Sequence, residues 1–203
     1  GGECLPAITT IGTFIRRLRE TGAKPEEHAL FMPTAEGPCR FGQYSVLHRS
    51  ILDSEGFHDT AIFAPSSVNS YMGMPNSMRL YLWEAMLAGD MIMKAICRTR
   101  PYEMNAGETD EVAGHYIEEI ESVIENRGNV LDVLKNAVSS ICSVPVSGEK
   151  KPLVGIVGEI YVRCNPFCNS NLIRTVEKCG GESWLSPISE WVLYTSWFEN
   201  YYT

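Results

Sequence analysis

Hydrophobic positions along the chain alternate between helical spacing and short apolar runs. Helical spacing predicts helices at residues 5–21, 42–54, 77–98, 109–141 with a break at 128–129, 169–178, and from 189 onward. Short apolar runs, most of them bounded by Pro or Gly, predict strands at residues 29–32, 61–64, 153–157 and 183–186. Strands that alternate with helices favour an α/β fold. We therefore expect a Rossmann-like three-layer sandwich with a mostly parallel sheet and a helical insertion, residues 77–143, between the second and third strands.

Composition narrows the class of protein. The chain has 203 residues, of which 44% are hydrophobic and 21% charged, as in a single folded domain covering residues 1–203. Its formal net charge is -8 and no basic stripe is present, which argues against nucleic acid and anionic membranes as partners. Charged residues interrupt every apolar stretch before the length of about 18 residues that a membrane span needs, and the amino terminus has no export signal. We expect a cytoplasmic protein.

Seven cysteines are a high and odd number for this length. In a reducing compartment such usage indicates metal binding, redox chemistry or buried packing. Ligands of a parallel sheet bind at the carboxyl ends of its strands, where the helices that lead into strands also begin. Four cysteines are predicted to lie at that edge: Cys4, Cys39, Cys164 and Cys168. The other three are predicted to be structural thiols near helix carboxyl ends: Cys97, Cys142 and Cys179.

The four edge cysteines have the surroundings that thiolates need. Helix amino termini and neighbouring cations stabilise a thiolate, and Arg40 and Arg163 directly adjoin Cys39 and Cys164. Such thiolates suit an iron–sulfur cluster held by several loops. The chain contains no C-x-x-C pair, so the cysteine spacing is not diagnostic and ordinary buried thiols stay open as an alternative. A zinc site is a weaker alternative, because structural zinc usually draws on closer cysteine pairs.

Other polar residues give weaker indications. Asn165 is a candidate cofactor contact, although a turn or capping role is favoured for it. The four histidines are predicted to be surface or capping residues: His28, His48, His58 and His115. Residues 37–42 contain glycine but match neither a phosphate loop nor a dinucleotide-binding pattern, although their backbone N–H groups could face an anion. No ATP site is expected.

Five segments together resemble a known family. They are Glu3-Cys4-Leu5-Pro6, residues 31–44, residues 158–163, Asn165-Pro166-Phe167 and Ser189-Glu190-Trp191. The chain resembles proteins related to 2-hydroxyacyl-CoA dehydratases and their activators. It is most similar to the iron–sulfur portion of the CoA-substrate-specific enzyme activases, also called 2-hydroxyglutaryl-CoA dehydratase-like proteins. The resemblance covers nearly the whole chain, with residues 37–44 as its most specific part and residues 77–143 contributing little.

The resemblance implies a cytoplasmic iron–sulfur protein, typical of anaerobes. Its partner would be an ATP-hydrolysing activator of the actin/sugar-kinase type that delivers a low-potential electron. In true dehydratases that electron enables radical removal of water from a hydroxyacyl-CoA. Cys4 and Cys39 are then the implied ligands of a [4Fe–4S] cluster. Cys164 and Cys168 match no family cysteine, so they are candidates for a third ligand on predicted position only, or that ligand lies outside this chain.

Two functional hypotheses follow. In the first, the chain is a redox domain of a dehydratase- or activase-type system, either a lyase or an ATP-dependent reductase, with an acyl-CoA as a possible substrate. In the second, it is a cluster-free interaction or regulatory domain that docks an activator or another partner. A zinc-stabilised domain is a weaker third. The chain opens inside a motif and stops within a predicted helix, so we also expect it to be excised from a longer multidomain protein.

Overall fold

The computed structural model describes residues 2, 4–22, 24–66, 69 and 71–202. Gly1, Thr203 and Glu3 of the first motif lie outside the described residues. The chain divides into two compact units, Gly1–Pro75 (unit 1) and Asn76–Thr203 (unit 2). The expectation that residues 1–203 act as a single domain stays a prediction. None of the helices in the described ranges has a stretch suited to crossing a bilayer.

Unit 1 packs two helices beside two short strands. Its elements are α1 (Leu5–Thr21), β1 (Ala29–Phe31), α2 (Tyr44–Ser54) and β2 (Ala61–Phe63), with 3₁₀ helices at Pro25–Glu27 and Arg40–Gln43. Helix α1 ends where Gly22 adopts the left-handed conformation at φ 61°, as its sequence predicts. Strands β1 and β2 pair in parallel, with Ala29 opposite Ala61. Ile11 and Leu18 of α1 pack against Leu52 of α2 to form a core.

Unit 2 is built on three long helices. Its elements are α3 (Asn76–Thr99), a 3₁₀ helix (Arg100–Tyr102), α4 (Glu108–Glu125), α5 (Val130–Cys142), β3 (Leu153–Ile156), α6 (Ile160–Cys164), α7 (Leu172–Lys178), β4 (Glu182–Leu185) and α8 (Ile188–Tyr202). Strands β3 and β4 pair in parallel, with Leu153 opposite Glu182. The apolar core lies among α3, α4 and α5 and contains Ile92, Ile120 and Ile141. The predicted helical insertion is therefore the main core of this unit.

The prediction of a Rossmann-like three-layer sandwich is wrong. The structure is 61% helical, and its described strands form two separate two-stranded parallel sheets. Each strand lies within or beside a predicted apolar run, but spans only three or four residues. Most side chains of these strands are at least partly exposed, and Leu153 and Val154 of β3 face solvent. Sheets this short and exposed cannot form the buried central layer that the prediction required.

Helix α4 begins differently from its prediction. The sequence predicts Thr109 as the N-cap residue of this helix. In the structure the helix begins one residue earlier, at Glu108, and Thr109 is fully buried. The cap comes from Glu103, whose carboxylate accepts hydrogen bonds from the N–H groups of Gly107 (2.7 Å) and Thr109 (2.9 Å). An acidic side chain at this end also complements the helix dipole.

Of the three cysteines predicted to be structural, Cys97 alone is buried, while Cys142 and Cys179 are exposed at the ends of α5 and α7. Cys97 is only 1% exposed. Desolvation by its surroundings raises the pKa of the Cys97 thiol from 9.0 to about 11. The folded state therefore holds this proton in a pH range where the unfolded chain has lost it.

We expect the free energy of unfolding to fall as the pH rises from 9 toward 11 because of Cys97. The contribution of this thiol should fall by about 2 kcal/mol between pH 8.5 and 10.5. Urea unfolding at these pH values measures the loss, and Cys97→Ala provides the reference that lacks the thiol. Equal pH slopes for the two proteins would contradict the prediction.

Candidate functional site

Cys4 and Cys39 each stand directly before a helix of unit 1. The Cys4 carbonyl accepts the N–H groups of Ala7 (3.0 Å) and Ile8 (3.3 Å) in the first turn of α1. Cys39 precedes the 3₁₀ helix Arg40–Gln43, which leads into α2, and its carbonyl accepts the N–H of Gly42 (3.4 Å). Both cysteines therefore occupy the N-cap position of a helix in unit 1.

Arg40 connects these two helix starts. Its guanidinium donates a hydrogen bond to the carbonyl oxygen of Gly2. A groove of about 380 Å³, which we call the Cys4 groove, passes this contact. Its lining consists of Gly2, Cys4, Ala7, Arg40, Gln43, Tyr44 and Leu47. Arg40 thus lines the same groove as Cys4 and directly follows Cys39 in the chain.

His48 makes a second connection between α1 and α2. The side chain is fully buried, and its Nε2 lies 3.1 Å from the carbonyl oxygen of Ala7. Because a carbonyl oxygen only accepts, Nε2 carries the proton, and Nδ1 has no partner among the described residues. Burial lowers the pKa of His48 and outweighs the hydrogen bond to Ala7, so the ring is neutral.

The surface or capping role predicted for His48 is wrong. Its ring packs edge-on against Phe14 (5.8 Å between centroids) and tilted against Tyr44 (6.1 Å). The sequence contained a signal for this burial, since Tyr44, His48 and Leu52 follow at i, i+4 and i+8 on one face of α2.

Cys4 and Cys39 could supply only some of the ligands of a metal site. Two thiols at helix amino termini beside a guanidinium have the chemistry that an iron–sulfur cluster requires. In the described part of the chain, however, no group of three or more His, Cys, Asp or Glu side chains could hold a metal ion. Cys4 and Cys39 therefore do not make a complete metal site by themselves.

Cys164 and Cys168 belong to unit 2 and follow β3, in the connection between that strand and α7. Cys164 is the last residue of α6, at the helix carboxyl end, and Cys168 lies in the loop before α7. Although Cys164 is exposed as a residue, partial desolvation raises the pKa of its thiol, and Arg163 offsets this only in part. The neighbouring cation therefore does not make Cys164 a ready thiolate.

Arg163 and Asn165 shape the loops around β3 and β4. The Arg163 guanidinium donates to the carbonyl oxygens of Gly158 (2.7 Å) and Pro187 (3.3 Å), which connects the loops that follow the two strands. The Asn165 side-chain oxygen accepts the N–H of Cys168 (3.1 Å), as in a turn. These contacts match the turn role given for Asn165, and binding of a cofactor by either residue stays a prediction.

The structure thus places Cys4 and Arg40 along one groove of unit 1, with Cys39 next to Arg40 in the chain. Cys164, Cys168, Arg163 and Asn165 lie in unit 2. No protein-family model matches the chain, and no curated protein or solved structure shows significant similarity to it. The resemblance to dehydratase- and activase-related proteins therefore stays a prediction.

Proposed function

We propose that this chain is an iron–sulfur redox domain of the 2-hydroxyacyl-CoA dehydratase and activase-related type. Cys4 and Cys39 would supply two thiolate ligands of a [4Fe–4S] cluster. The observation that carries the proposal is the hydrogen bond from Arg40, the residue after Cys39, to the carbonyl of Gly2, two residues before Cys4. The remaining ligands would come from residues other than this pair.

The chain's own residues would prepare the two thiols for this task. Cys4 precedes α1 and Cys39 precedes the 3₁₀ helix Arg40–Gln43, and helix amino termini favour negative charge. Arg40 adds a positive charge, which lowers the cost of holding two thiolates near one another. Tyr44 and Leu47 contribute apolar walls to the Cys4 groove. A bound cluster would supply one-electron transfer at low potential.

The proposed partner is an ATP-dependent activator of the actin/sugar-kinase type, acting in the cytoplasm as the electron donor. An acyl-CoA would be the substrate of the complete system. The support for both is the resemblance of residues 37–44 and of the other quoted segments. Nucleic acid and membrane are not proposed as partners, since the net charge is -8.

We expect anaerobic reconstitution with ferrous iron and sulfide to load the wild-type chain with iron and sulfide in near-equal amounts. Cys4→Ser and Cys39→Ser should each lose most of the bound iron and the visible charge-transfer absorption, because each removes a ligand. Iron and sulfide analysis per chain and the visible spectrum measure this, and circular dichroism checks the fold.

Cys142→Ser is the matched control, because Cys142 is an exposed cysteine at the end of α5. It should keep the wild-type iron content. Full iron in both Cys4→Ser and Cys39→Ser, or equal loss in Cys142→Ser, would overturn the proposed ligands.

A cluster-free docking domain is the second candidate, and helix α8 favours it. Trp191, Tyr194, Trp197 and Tyr201 follow one face of this helix, and each is more than half exposed. The rings of Trp197 and Tyr201 stack at 5.2 Å. Exposed aromatic faces of this kind are typical of protein-binding surfaces. A wild-type chain that binds no iron during reconstitution would favour this candidate.

A further inference from the structure

Residues 39–48 of unit 1 contain Cys39 and two side chains that donate hydrogen bonds to the backbone on either side of Cys4. Arg40 donates to the carbonyl of Gly2, which precedes Cys4 by two residues. His48 donates to the carbonyl of Ala7, which follows Cys4 by three residues. Residues 39–48 therefore hold the chain before and after Cys4 while presenting the second thiol.

We propose that Arg40 and His48 are positioning residues that hold Cys4 against the Cys39 segment before any metal binds. We call the two hydrogen bonds the Cys4 clamp. The inference rests on the proposed function for the purpose of the clamp, although the clamp itself is a property of the metal-free chain. The clamp would hold the two thiols in place in advance. Less conformational entropy would then be lost when a metal binds.

The two halves of the clamp differ in character. His48 is fully buried and stands on α2, so its position follows that of the helix. Loss of its Nε2–H donor would remove the hydrogen bond that connects α2 to the Ala7 carbonyl of α1. Arg40 is exposed, and a hydrogen bond from an exposed guanidinium contributes less.

Arg40 acts on the amino-terminal side of Cys4, through its hydrogen bond to Gly2. Residues before Cys4 lie outside helix α1, and Pro6 within its first turn has no N–H to donate. The Arg40 contact is the hydrogen bond that the described residues show for Gly2. Without it, the chain entering α1 loses its connection to the Cys39 segment, while the helices keep theirs through His48.

Dibromobimane applied to the reduced, metal-free chain tests the clamp. This reagent joins two nearby thiols, each thiolate displacing one bromide, and it fluoresces strongly only when both have reacted. We expect a Cys4–Cys39 crosslink in the wild type, identified by peptide mass spectrometry. Arg40→Gln should lower its yield about threefold or more, because the exposed donor is lost. Arg40→Lys, which keeps a cationic donor, should restore much of it.

Arg17→Gln is the matched control, since Arg17 is an exposed arginine of α1 away from the clamp. It should leave the crosslink yield unchanged. His48→Phe, which keeps an aromatic ring but removes the donor, should also lower the crosslink yield. If His48→Phe does not fold, Arg40→Gln still tests the clamp. Monofunctional bimane labelling of each thiol controls for reactivity.

The outcomes separate the clamp from the proposed function. Equal crosslink yields in the wild type and Arg40→Gln, or no crosslink in the wild type, would overturn the clamp whatever the iron content. A crosslink that depends on Arg40 in a chain that takes up no iron would support the clamp and overturn the redox function.

Discussion

Replacing Arg100 by Met is expected to lower the free energy of unfolding of unit 2 by about 3–5 kcal/mol. Arg100 has a side chain only 8% exposed, and it donates to both carboxylate oxygens of Glu177 at 2.7–3.1 Å. It also donates to Asp110 at 2.8 Å. Because the Glu177 side chain is only 10% exposed, removal of Arg100 leaves a buried carboxylate without its main partner. Urea denaturation followed by circular dichroism measures the loss.

Arg174 provides a matched control within the same network. Its guanidinium contacts Asp110 and lies 3.7 Å from Glu177, but its side chain is 44% exposed. Arg174→Met should therefore cost less than about 1 kcal/mol. The double variant Arg100→Met/Glu177→Met should recover much of the loss, because no buried charge is left unpaired. Equal losses for Arg100→Met and Arg174→Met would show that burial does not set the strength of this network.

Truncation of Ile141 to Ala is expected to cost about 2–5 kcal/mol. Ile141 is fully buried in the core among α3, α4 and α5, so the change removes apolar contacts and leaves a cavity. The midpoint of urea unfolding should shift with little change in the m-value, since the exposed surface of the unfolded chain is nearly the same.

Leu131 tests whether the effect comes from burial. It lies on the same helix, α5, and is 45% exposed. Leu131→Ala should lower the free energy of unfolding by less than about 1 kcal/mol. A similar loss in the two variants would contradict the assignment of the core.

Local signals predicted the elements well. Gly22 ends α1, the predicted break at residues 128–129 separates α4 from α5, and each strand lies within or beside a predicted apolar run. These features depend on a few neighbouring residues, through glycine's left-handed backbone and apolar periodicity. Their physical causes are therefore present in the sequence itself.

Pairing of strands across the chain was not predictable in the same way. A short apolar run favours a strand but does not say how many strands share a sheet, and β1–β2 and β3–β4 pair separately. The error in fold class came from treating alternation of elements as evidence for one sheet. Exposure of β3 is a tertiary property, which no run of four residues encodes.

For the candidate site, the sequence by itself determined that Cys4 and Cys39 precede helices and that Arg40 adjoins Cys39. The tertiary structure decided that Arg40 reaches Gly2 and that His48 is buried against Ala7, contacts that span 38 and 41 residues. It likewise decided that Arg100 pairs with Glu177, 77 residues away. Local conformation follows from short-range sterics and capping, whereas burial and long-range pairing depend on how the whole chain packs, and so only the folded structure decides them.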